Sequence, residues 1–309
     1  MIIPLSGFAL MRHTLGCFAS EVNLDMTDIE LAIAQLQWLI DAPDLILPPE
    51  ALRIPAGFTL DLSDDQQSHK DMLPSLLANT QLGKGRVGRQ FENLTALHFM
   101  LSKKVIDLKR NIKILKDNIT LGELDFMIQF PENWVHLEVA VKFYLLDGNG
   151  NQLDHYIGPG RVDRLGAKWR RMTHHQLPIA RTTEGLNTLA LLGIEHFVQA
   201  VWIKGALFYH WQQDTLPAIP LLVNPSHERG WWVRQSELAR MKEYHGVKNI
   251  QLISKQDWLT PIDVPGNLHQ QSLSGIQLED LQHPVMAAVL TDKGDTLRGF
   301  IVPDEWGVP

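Results

Sequence analysis

Two short stretches of the chain alternate acidic and apolar residues: Leu121-Gly122-Glu123-Leu124-Asp125-Phe126-Met127-Ile128 and His136-Leu137-Glu138-Val139-Ala140-Val141-Lys142-Phe143. Alternate residues of a strand share a face. The pattern therefore sends Leu124, Phe126 and Ile128 one way, with Val139, Val141 and Phe143 across the turn. Glu123, Asp125, Glu138 and Lys142 go to the opposite face. A turn centred on Pro131-Glu132 pairs residues whose numbers sum to 263, which sets Asp125 opposite Glu138 with Cβ atoms about 5 Å apart. Two carboxylates that close repel one another unless a cation lies between them. Hard oxygen donors on a rigid sheet suit Mg²⁺ or Mn²⁺. A lysine on the same face can orient or activate a water, or stabilise negative charge as it builds. The competing reading is a hairpin with one solvated face, on which the same charges keep the strands soluble.

The elements that must position these residues follow from periodicity. Helices are expected over 27–40 and 85–103, then strands over 105–115, 121–130 and 135–146. A third helix is expected over 161–175, a short one over 184–192 and a long strand over 197–211. Short strands over 230–234, 250–254, 285–290 and 297–302 complete the chain. This order predicts a mixed α/β fold with a central mixed sheet flanked by helices and a β-rich C-terminal region. It divides into a helical and loop segment over 1–80, a core over 81–215 and the β-rich region over 216–309.

With that frame, the Gly122-Glu123-Leu124-Asp125 string, the short turn and the apolar strand bearing Glu138 and Lys142 resemble the core motif of the PD-(D/E)XK nuclease superfamily. More closely, segments 85–92, 121–126, 138–144 and 158–165 resemble a bacterial family catalogued as domain of unknown function 1853. The nuclease resemblance covers about residues 81–211 and implies a restriction-endonuclease-like core that hydrolyses phosphodiester bonds of DNA with Mg²⁺ or Mn²⁺. It implies that Asp125 and Glu138 are the metal-binding acids and Glu92 an additional acid on the preceding helix, with the Val139 carbonyl as a further contact. The usual Glu-x-Lys spacing is not kept: position 140 is Ala. The lysine place then falls to Lys142, ~7 Å further along the same face, or to Lys168 from the following helix.

Charge distribution is compatible with a polyanionic partner, and on its own equally with an ordinary solvated surface. The chain of 309 residues has net charge −7, but residues 81–181 carry 16 basic and 10 acidic side chains, while the flanks are acidic. Within the basic segment Arg161, Arg164, Lys168, Arg171 and His175 recur at helical spacing and are expected to share one face. With Arg86 and Arg89 they form the expected nucleic-acid contact, whose binding would weaken with salt. Two rivals share this sequence: an inactive nuclease fold that binds nucleic acid, and a protein-interaction module centred on the Trp-rich C-terminal region (Trp231, Trp232, Trp258, Trp306). Those tryptophans also suit core packing.

Other signals point away from different chemistries. Gly83-Lys84-Gly85-Arg86-Val87-Gly88 fits G-x-G-x-x-G, but no strand-like segment precedes it, so a dinucleotide site is not expected. Adjacent helical positions such as His174 and His175 diverge by about 100° and do not share a metal easily. A single cysteine, Cys17, excludes an internal disulfide and is read as a small buried hydrophobe. No apolar run is long enough to span a bilayer. A cytoplasmic protein without membrane partners is expected.

Overall fold

The computed structural model describes residues 26–55, 73, 75–77, 85–213, 215, 217–262 and 281–307. Cys17, and Gly83 and Lys84 of the glycine motif, lie outside them. Helix α1 (Met26–Asp41) and helix α2 (Val87–Leu101) precede strands β1 (Asp107–Lys116), β2 (Ile119–Gln129) and β3 (Trp134–Leu146). Asp117 and Asn118 both adopt positive φ, 49° and 63°. That is the backbone of a two-residue hairpin turn whose twist matches the strands it joins. The short strand β4 (Tyr156–Ile157) pairs with the end of β3.

Three helical pieces then run on without a break: α3 (Leu165–Arg171), a π-helical turn (Met172–Gln176) and α4 (Leu177–Ile179). Helix α5 (Thr183–Leu191) starts on Thr182, whose hydroxyl accepts from the Gly185 N–H. Strand β5 (Phe197–His210) lies parallel to β3, and β6 (Glu228–Arg234) parallel to β5. Helix α6 (Leu238–Tyr244), β7 (Val247–Leu252), β8 (Val285–Thr291) and β9 (Thr296–Val302) follow. Among the described residues one nine-stranded mixed sheet results, in the order β1-β2-β3-β5-β6-β9-β8-β7, with β4 on the edge of β3. Strand β3 sits inside the sheet and carries apolar residues on both faces. Val139, Val141 and Phe143 pack with α1 and α2 on one side, and Ala140, Tyr144 and Leu146 pack toward α3 on the other.

Two expectations need correction. Leu124 does not share a face with Phe126. It packs with Ile114, Met127, Ile179 and Leu189, while Phe126 faces α2. Strand β2 turns over at Asp125, beside Asn111 of β1, which adopts φ 56°. Nor does the third helix begin at 161. Residues 158–164 form a tight turn closed by Gly158 N–H to the Asp163 carbonyl and Arg161 N–H to the Gly158 carbonyl, with Arg161 at φ 59°. The helix starts only at Leu165. The C-terminal tryptophans serve the core: Trp231, Trp232 and Trp306 are buried and Trp258 partly so. Among the described residues, no helix is long and apolar enough to cross a membrane.

Candidate functional site

Strands β2 and β3 pair from Gln129↔Trp134 to Phe126↔Leu137, every pair on the expected sum. Asp125 and Glu138 come next, and there side chains replace the backbone ladder. The Asp125 N–H donates to Glu138 Oε1 at 3.4 Å, and the Val139 N–H donates to Asp125 Oδ2 at 3.0 Å. The two carboxylates thus interlock at the point where the strands part.

Glu138 is fully buried. Its Oε1 also faces His136 Nε2 at 3.0 Å, and its Oε2 accepts from Gln176 Nε2 at 2.5 Å. Burial pushes the Glu138 carboxyl up to about 7, with Glu92 adding to the rise. Burial and then the Glu138 charge push Asp125 up to about 7, against the opposing pull of the Val139 N–H and Lys168. Such a pair titrates as a unit and resists holding two negative charges at neutral pH.

Glu92, on α2, is raised by burial and by Asp125, and lowered by Arg110 and Arg89. The site therefore draws its acids from one helix and two strands. Arg110 of β1 is held by Asn93 of α2, Nη2 to Oδ1 at 2.7 Å.

The two candidate lysines have different surroundings. Lys142 Nζ lies 2.5 Å from Asp163 Oδ2, which also accepts from the Tyr144 hydroxyl at 2.8 Å. Its charge is committed to the 158–164 turn. Lys168 Nζ donates to Gln176 Oε1 at 3.0 Å. Burial and Lys142 lower its pKa, while Asp125 and Glu138 hold it up. Lys168 is thus the lysine in electrostatic contact with both acids.

The expected basic stripe is broken. Arg161 pairs with Asp147 at 3.4 Å and lies over the Trp306 ring. Arg164 donates to the Asp154 carbonyl. Neither continues the helical face of Lys168. Arg171, Arg86 and Arg89 are exposed, the last two on the first turn of α2 and just before it.

Gln176 escapes a sequence reading. Residues eight apart on a continuous α-helix stand about 80° out of line. The wider π-turn takes up that difference and brings Gln176 onto the side of Lys168. Turns of this kind recur at functional sites. His136 did carry a usable signal: it sits two residues before Glu138 on the same strand face. Burial lowers its pKa to about 4, so it is neutral.

The donor set fits a hard cation in kind, being carboxylate oxygens. Among the described residues no group of three or more His, Cys, Asp or Glu closes around one point. Mg²⁺ characteristically uses one or two carboxylates and keeps several waters, a requirement that Asp125 and Glu138 can meet.

A mixed α/β sheet that gathers an interlocked acid pair, a lysine and an amide at the end of a split hairpin is the class of protein defined here. The chain belongs to the family described as Domain of unknown function (DUF1853), whose model matches residues 34–302. No curated protein matches the chain, and no solved structure does.

Proposed function

We propose that this protein is a metal-dependent nuclease that hydrolyses phosphodiester bonds of DNA. The observation that carries the reading is the interlocked Asp125–Glu138 pair at the strand split, with Lys168 coupled to both carboxylates. Asp125 and Glu138 would hold Mg²⁺ or Mn²⁺, with Glu92 assisting from α2. When bound, the cation supplies positive charge against the charge that gathers on the phosphoryl oxygens. Lys168 donates a hydrogen bond to one of those oxygens, where stabilisation has most effect on rate. Glu92, with its raised pKa, accepts a hydrogen from the attacking water and orients it. Arg86, Arg89 and Arg171 contact backbone phosphates on either side. Lys142 acts through Asp163 as a brace for the turn rather than on the reacting atoms.

One observation favours a second reading, DNA binding without cleavage: the lysine on the β3 face is paired away from the acids. A cleavage assay on supercoiled and linear DNA with Mg²⁺, Mn²⁺ or EDTA separates the two. Under the nuclease reading, Asp125→Asn and Glu138→Gln abolish metal-dependent cleavage. Lys168→Met lowers it by about 10²–10³-fold, and Lys142→Met by less than about tenfold. Salt-sensitive binding with no cleavage in any metal establishes the second reading instead.

A further inference from the structure

Glu138 is connected to the protein surface by a series of hydrogen bonds whose directions are each determined. Arg181, exposed beyond α4, lays its guanidinium 4.6 Å from the centre of the Phe197 ring. Its Nε donates to Gln199 Oε1 at 3.1 Å, and its Nη2 to the Phe197 carbonyl at 3.1 Å. A guanidinium only donates, so the amide atom facing it is oxygen. At the other end of that amide, Nε2 donates to the Leu177 carbonyl, which only accepts, at 2.6 Å. The second hydrogen of the same NH₂ meets His136 Nδ1 at 3.1 Å. His136 and Gln199 are direct partners in the parallel β3–β5 register, which is why this contact forms. Nδ1 must then be the acceptor, and the proton of a neutral ring lies on Nε2, the atom 3.0 Å from Glu138 Oε1.

We propose that Arg181, Gln199 and His136 are positioning residues that fix the Nε2–H tautomer of His136, so that the ring always donates to Glu138 and holds its carboxylate toward Asp125. The opposite tautomer would set a ring lone pair against a carboxylate oxygen and turn the side chain away. The tautomer assignment stands on hydrogen-bond geometry alone. Its consequence for metal binding rests on the nuclease reading, where loss of a group that holds a ligand carboxylate costs 10- to 100-fold in affinity.

The test uses the full chain with ¹⁵N-labelled histidine, the His136 resonances being identified by their loss in His136→Gln. Titration with Mn²⁺ follows on the same samples. In the wild type, Nε2 is expected protonated and Nδ1 bare. Gln199→Glu, whose carboxylate can only accept, is expected to draw the proton to Nδ1 and weaken Mn²⁺ binding 10- to 100-fold. Arg181→Met, at an exposed position, keeps the aliphatic stem over Phe197 and is expected to mix the tautomers with a smaller loss in the same direction. A wild-type proton on Nδ1 overturns the proposal. So does a switched tautomer in Gln199→Glu with unaltered Mn²⁺ affinity. If Gln199→Glu does not fold, an unchanged tautomer and affinity in Arg181→Met overturn it equally. A wild type with the expected tautomer that neither binds Mn²⁺ nor cleaves DNA refutes the nuclease reading while upholding the tautomer assignment.

Discussion

Replacing Asp125 by Asn isolates what the acid pair costs the fold. In the native chain burial and Glu138 move the Asp125 carboxyl from 3.8 to about 7. Between those values the folded state binds more protons than the unfolded state, so stability falls as pH rises. The cost is absent below about pH 4 and complete above about pH 7. That rise corresponds to at most ~4 kcal/mol. Asp125 is only partly buried, and solvent screening brings the expected net gain on substitution to about 1–3 kcal/mol at pH 8. Asparagine keeps an oxygen for the Val139 N–H, so the strand junction is preserved. Urea unfolding in EDTA at pH 8 and at pH 4 measures both ends of the window. The variant should be the more stable at pH 8, and the two proteins should converge at pH 4. Mn²⁺ should then raise the midpoint of the wild type but not of the variant. A variant equal to or weaker than wild type at pH 8 would refute the assignment of a shared, repulsive carboxylate pair.

Gln176→Ala removes the amide between Glu138 and Lys168. It should weaken Mn²⁺ binding by about 10- to 100-fold while circular dichroism shows an intact fold. Gly205, at φ 127° opposite Lys142 in the β3–β5 ladder, has no room for a side chain: a Cβ there would run into the Lys142 carbonyl. Gly205→Ala should cost at least ~3 kcal/mol and show as loss of soluble protein or a collapsed unfolding midpoint. DNA affinity measured against salt should decline linearly on logarithmic axes, and Arg86→Ala or Arg89→Ala should each lower the slope by about 1. A slope that neither substitution changes would remove the N-terminal turn of α2 from the binding surface.

The β-hairpin was readable because alternation and a Pro-containing turn are local signals. Strands β1 to β3 fall within about two residues of expectation, and the 263 register holds through Phe126↔Leu137. The reversal at Asp125 was not readable, since it depends on a left-handed Asn111 in the neighbouring strand. Nor could spacing decide between Lys142 and Lys168. That choice depends on Asp163, which lies 21 residues from Lys142 and meets it only through the 158–164 turn. The helix expected from 161 failed for the same reason, because Arg161 is consumed in that turn. Gln176 was hidden because its position comes from a π-turn, whereas a helical reading assumes constant winding. Helix α6, seven residues long, carries too short a pattern to register.

Strand β9 lies between β6 and β8, although it comes last in chain order among the described strands. The sheet therefore cannot close in the order in which the ribosome delivers it. Until Thr296–Val302 has emerged, β6 has only β5 as a neighbour, and its other edge carries unmatched backbone groups open to non-native pairing. Long-range parallel pairing of this kind folds slowly. During synthesis, nascent chains stalled before residue 296 should be held by chaperones or aggregate, whereas chains released after β9 should fold.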